Sequence, residues 1–104
     1  MASPTRNNLA GIAPKLAQLT EDVLFGDIWA RGELSPRERS LITLAALTAL
    51  GRERQLPWHI EFAANNGLTR AEITEVFTHL AFYAGWPAAV TALSCIPPEG
   101  SACL

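Results

Sequence analysis

The sequence predicts an all-α fold of five to six short helices. Three observations predict it: proline and glycine punctuate the chain at helix-like intervals, two capping boxes mark helix starts, and no run of alternating β-branched residues or hairpin signal occurs. Pro14 to about Trp29 reads as one helix or two short ones, because Gly26 weakens the middle. Ser35-Pro36-Arg37-Glu38 combines an N-cap serine, a proline at the first helical position and a glutamate able to reach back to the cap. That helix runs to Leu50, where Gly51 can take the left-handed conformation that ends it. Pro57 opens the next helix and Gly67 closes it. Thr69-Arg70-Ala71-Glu72 is the second capping box, starting a helix that reaches about Ala84. Pro87 opens a last helix that ends near Cys95, and Pro97-Pro98 stops it.

Composition sets the class. The chain has 104 residues, of which 49% are hydrophobic and only 17% charged, with a net charge of −2. The length fits a single domain spanning 1–104, large enough to bury a core without metal or disulfide. The charge balance argues against a nucleic-acid partner held through phosphates. The longest apolar stretch, Leu41 to Leu50, is half the length of a membrane span, which needs about twenty residues. Met1 to Asn8 carries no apolar signal segment, and Cys95 and Cys103 form neither a CxxC pair nor a four-cysteine framework. A reduced, cytoplasmic chain is expected.

The helix from Pro36 to Leu50 is apolar nearly all round, with only Thr43 and Thr48 interrupting it after Ser40. Such a helix must be covered on every side, and so few short helices can hardly do that alone. A homo-oligomer with this helix near the interface is expected; a deep core helix in a monomer is the other reading.

Only two histidines exist. His59 shares a helical stripe with Phe62, Ala63 and Asn66, so its ring is expected to face inward, either as a core histidine bonded to a backbone carbonyl or as a general acid/base. His79 lies four residues after Glu75 and four before Tyr83, a spacing that permits a Glu75–His79 contact or an ordinary border position. Arg31, Arg37, Arg39, Arg52 and Arg54 gather around the ends of the central helix. A guanidinium clamps a carboxylate at two points, so Arg39 with Ser40 and Thr43 would make an anion-binding wall. The alternative is surface ion pairing with Glu33, Glu38 and Glu53. No metal-ligand set, phosphate loop or nucleophile elbow is present, and any chemistry is expected to be cofactor-free acid/base work.

Several stretches together resemble the carboxymuconolactone decarboxylase family, within the alkyl hydroperoxidase D-like superfamily. They are Phe25-Gly26-Asp27-Ile28-Trp29, the segment Leu34 to Ile42, Leu56-Pro57-Trp58-His59, Gly67-Leu68-Thr69 and Thr78 to Pro87. The likeness covers about Ile12 to Leu93, leaving 96–104 as an irregular tail. It implies a helical fold assembled into trimers or hexamers. In the peroxidase branch a CxxC pair precedes a histidine that stands eight positions before a glycine. His59 stands so before Gly67, but the cysteine positions fall on Arg52 and Gln55, and the proton-relay glutamate falls on Ser40. The thiol chemistry of that branch therefore lacks its nucleophile. The resemblance to the decarboxylase branch implies a small lactone or carboxylate substrate and a lyase or isomerase reaction. There His59 would be the acid and Arg39 the carboxylate holder, with Ser40 as an added donor. Arg31, Asp27, Trp29, His79 and Tyr83 are further pocket candidates. A non-catalytic, oligomeric binding protein is the alternative.

Overall fold

The computed structural model describes residues 8–98, and every regular element among them is helical. The chain divides into two compact units, Met1–Pro36 and Arg37–Leu104.

In the first unit, a single turn α1 (Leu9–Ile12) precedes α2 (Pro14–Leu19), whose proline occupies the first turn, where a missing N–H costs nothing. From α2 the backbone widens into a π-helical turn, Thr20–Phe25, closed by the Gly26 N–H donating to the Glu21 carbonyl at 2.8 Å. A Cβ on Gly26 would lie 2.7 Å from the carbonyl oxygens of both Glu21 and Asp22, so this turn admits only glycine. Gly26 thus ends the wide turn rather than weakening a helix. A 3₁₀ turn, Ile28–Ala30, follows, and Phe25 stacks on Trp29 with ring centroids 5.9 Å apart.

The second unit is built on α3 (Pro36–Ala49), α4 (Leu56–Asn65), α5 (Arg70–Leu80) and α6 (Trp86–Ser94). Each contributes one stripe to a common core. Leu44 of α3 meets Leu56, Ile60 and Ala63 of α4, Ile73 and Phe77 of α5 and Ala92 of α6, with Leu68 sealing the α4–α5 turn. Phe77, fully buried, is the largest of these; burying such a side chain is worth about 2–3 kcal/mol.

Local chemistry sets the boundaries. Gly51 (φ 72°) and Gly67 (φ 101°) take the left-handed region after α3 and α4, and the Leu68 N–H then caps the Ala63 carbonyl at 3.0 Å. At α5 the capping box is complete. The Glu72 N–H donates to Thr69 Oγ1 at 3.1 Å, and the Thr69 N–H donates to Glu72 Oε1 at 2.9 Å. Glu72 also pairs with Arg37 of α3, a partner outside the three glutamates expected for the arginines. α5 stops at Leu80 rather than Ala84, because residues 81–83 tighten into three-residue turns, such as Phe82 N–H to the His79 carbonyl at 3.2 Å. α4 and α6 each start one residue before their proline, which then sits in the first turn.

Among the described residues of the second unit, α3 is not covered all round. Ser40, Leu44 and Thr48 form its buried stripe, while Ile42 (55% exposed) and Leu50 just beyond its end (65% exposed) face outward.

Candidate functional site

His59 lies in the second turn of α4, on a half-buried stripe with Phe62 and Asn66 that flanks the core stripe of Leu56, Ile60 and Ala63. Its backbone N–H donates to the Gln55 carbonyl at 3.3 Å. Among the described residues no hydrogen bond ends on the imidazole itself, so both ring nitrogens keep their donor or acceptor capacity. Two aromatic rings flank it. Trp58 meets it edge-to-face at 4.8 Å and 82°, and Phe62 stands 6.5 Å away at 71°. Burial pushes the His59 imidazole below its ordinary pKa, because the charged form loses more hydration than the neutral one.

On α3, two adjacent stripes divide the labour. Arg39, Thr43 and Leu47 are half-buried, with the Arg39 Nε removed from solvent and Thr43 Oγ1 donating to the Arg39 carbonyl at 2.8 Å. Ser40 belongs to the interior stripe instead, and its Oγ accepts from Asn66 Nδ2 at 3.0 Å. That bond fastens the C-terminal end of the His59 stripe to α3. The amide that makes it could be read from the sequence only as a neighbour on the stripe, since its partner lies 26 positions away.

His79 and Tyr83 are placed elsewhere. Both are exposed, and their rings stack on each other at 4.8 Å and 27°; His79 makes no ion pair with Glu75. Beside His79 runs an open groove of about 430 Å³, with Arg37, Glu72 and Glu75 among its polar lining and Leu41, Val76 and Leu80 among its apolar lining. The Thr69 backbone N–H and the Arg37 guanidinium hold the Glu72 carboxyl below the usual range. Asp27, Trp29 and Arg31 belong to the first unit. Asp27 precedes the 3₁₀ turn, Trp29 stacks on Phe25, and Arg31 pairs with Glu33 at 3.6 Å in an exposed position.

Arg52 and Gln55 are both exposed and joined across one turn, the Gln55 N–H donating to the Arg52 carbonyl at 3.2 Å. Cys95 is half-buried with Sγ 3.4 Å from the Thr91 carbonyl, and burial pushes its thiol up. Cys103 lies outside the described residues. No cluster of three or more histidine, cysteine or acidic side chains able to hold a metal occurs among the described residues. No described helix is long and apolar enough to cross a membrane.

These features can be set beside known proteins. The profile of the carboxymuconolactone decarboxylase family matches residues 14–96. The chain is 44% identical over 69 residues to a 4-carboxymuconolactone decarboxylase of Acinetobacter baylyi, covering 66% of this chain and 52% of that protein. It is 34% identical over 76 residues to the nitrosuccinic acid decarboxylase npaB of Metarhizium robertsii, covering 73% of this chain and 53% of that protein. The chain therefore spans about half the length of the curated relatives it matches. With the helical core, the His59 stripe and a match over most of its length, the chain belongs to the carboxymuconolactone decarboxylase family.

Proposed function

We propose that this chain is a cofactor-free lyase of the decarboxylase type, or a related isomerase, acting in the cytoplasm on a small lactone or carboxylate with His59 as general acid/base. The observation that carries the reading is an imidazole half-withdrawn from water and hydrogen-bonded to nothing among the described residues. A ring nitrogen already spent on the backbone would be less able to exchange a proton with a ligand. Both relatives are named as decarboxylases of small carboxylic acids, which supports that substrate class.

The chemistry follows from charge. The C–C bond to the departing carboxylate breaks, carbon dioxide leaves, and its electron pair remains on the substrate as a dienolate. That carbon must then be protonated. A neutral imidazole is a poor acid, but an anionic substrate beside it favours the imidazolium, so binding itself charges the catalyst. The imidazolium gives its proton to carbon, and water restores it. Arg39 on the half-buried stripe of α3 holds a substrate carboxylate in this scheme, while Ser40, buried and bonded to Asn66, supports the helix behind it. A trimer or hexamer completes the proposal, supported by the outward Ile42, Leu50, Phe82 and Trp86, which a second copy would cover.

The test is turnover of 4-carboxymuconolactone, followed by carbon dioxide release, with a hydroperoxide as control. His59→Ala should lower kcat/KM by about 100-fold or more while the circular dichroism stays unchanged. Undiminished turnover would remove His59 from the mechanism. Binding without turnover in the wild type would favour the non-catalytic reading, and rapid hydroperoxide consumption would restore the thiol reading.

A further inference from the structure

The Ser40–Asn66 hydrogen bond has a place in the fold that apolar packing does not account for. Ser40 is 2% exposed and shares the interior stripe of α3 with Leu44 and Thr48. Helical hydroxyls elsewhere are satisfied close to home: Thr43, Thr48 and Thr78 each donate to the carbonyl four residues back in their own helix. Ser40 instead accepts from Asn66 Nδ2 at 3.0 Å, across to the end of α4. Asn66 is itself fixed, because its backbone N–H donates to the Phe62 carbonyl at 3.0 Å before the chain turns at Gly67. Apolar packing between helices is non-directional and tolerates sliding, whereas one buried polar pair selects a single alignment. Such a pair adds little net stability over an apolar pair of the same shape, so its use lies in register.

We infer that Asn66 and Ser40 are positioning residues, forming a clasp that holds α4 in register with α3 and so fixes His59 relative to Arg39. This rests on the reading of His59 as the acid/base and Arg39 as the carboxylate holder. The sequence sets the clasp where it can act on both. Ser40 follows Arg39 directly, and Asn66 lies two turns beyond His59, about 10 Å along α4 at about 1.5 Å per residue. A slip of one helical turn would move His59 by about 5.4 Å against Arg39. A proton donor displaced by about an ångström from the reacting atom already loses much of its effect. Neither clasp residue touches substrate in this scheme; both act through the helices that carry the functional side chains.

The test compares Ser40→Ala, which leaves the Asn66 amide without its acceptor, with Ser40→Ala/Asn66→Leu, which makes the pair apolar. The double variant should recover most of the urea midpoint that the single variant loses. Turnover of 4-carboxymuconolactone should not recover with it: kcat should be about tenfold lower in both, with KM changed by less than about twofold. Ser40→Thr keeps the acceptor oxygen and should keep most of kcat. Register is read without turnover, from spin labels at Ala46→Cys and Glu61→Cys, both exposed, in a Cys95→Ser/Cys103→Ser background diluted with unlabelled chain. Their distance distribution should be narrow with the clasp intact, and should broaden or shift in the double variant. An unchanged distribution, or a kcat that recovers along with stability, would overturn the proposal. Failure of the catalytic reading looks different: turnover that survives His59→Ala, with the distances still dependent on the clasp, would remove the acid/base role and leave the register effect standing.

Discussion

His59 carries its own pH signature, because burial makes protonation more costly in the folded chain than in the unfolded one. In the absence of ligand its ring carbon resonances should titrate below about 6.5, the range of a free histidine, when followed by NMR. The sign for stability follows. A group whose pKa is depressed by folding leaves stability whole above the unfolded value and takes it away as the pH falls toward the folded one. Urea midpoints of the wild type should therefore decline below about pH 6.5, and His59→Gln should flatten that decline. Adding an anionic ligand such as muconate should move the His59 titration upward. At this scale the sequence was informative about which residues matter and silent about their state. The stripe of His59, Phe62 and Asn66 follows from helical spacing alone. That the imidazole meets Trp58 edge-on, and that Asn66 spends its amide on Ser40, depends on rotamers and on a helix 26 positions away.

α5 shows how much one side chain can be asked to do. Glu72 closes the capping box with Thr69 and pairs with Arg37 on α3, so it fixes both where the helix starts and what it leans against. Thr69→Ala removes the hydroxyl that accepts from the Glu72 N–H, and should cost about 1 kcal/mol in urea denaturation. Glu72→Gln keeps an oxygen for the Thr69 N–H but loses the charge. Its smaller loss should shrink further in 1 M salt on the order of the screening expected there, whereas that of Thr69→Ala should not. Gly26→Ala is expected to be the most damaging change in the first unit, because the added carbon meets backbone rather than a movable side chain; loss of far-UV helicity would report it. The capping box was legible because its four residues are consecutive and its geometry is local. The π-helical turn was not, since it arises from one extra residue inserted into a helical ladder, and no residue type announces that.

Several large apolar side chains of the second unit stand in water. Phe82 and Tyr83, at 75% and 77% exposure, join Ile42, Leu50, Trp86 and Val90 on the outside of the second unit. The apolar circumference of α3 was evident in the sequence, but which side would face the core was not. That choice depended on Ser40 and Thr48, polar residues that turn inward because Asn66 and the Leu44 carbonyl satisfy them. Light scattering on the purified chain should give a mass that is a multiple of 11.2 kDa. Ile42→Glu should shift it toward the protomer without altering helicity. A wild type that runs as a protomer at high micromolar concentration would refute the assembly.

The turn between α3 and α4 has one more consequence. Arg52 and Gln55 stand at its two ends, exposed, with a backbone hydrogen bond closing the span between them. Four-residue turns of that kind bring their end Cα atoms within about 7 Å, inside the reach of a disulfide. Arg52→Cys with Gln55→Cys should therefore yield a closely spaced dithiol that mild oxidants close, detectable as a mass decrease of about two hydrogens, on a scaffold where burial pushes the Cys95 thiol up and so makes it a weaker competitor.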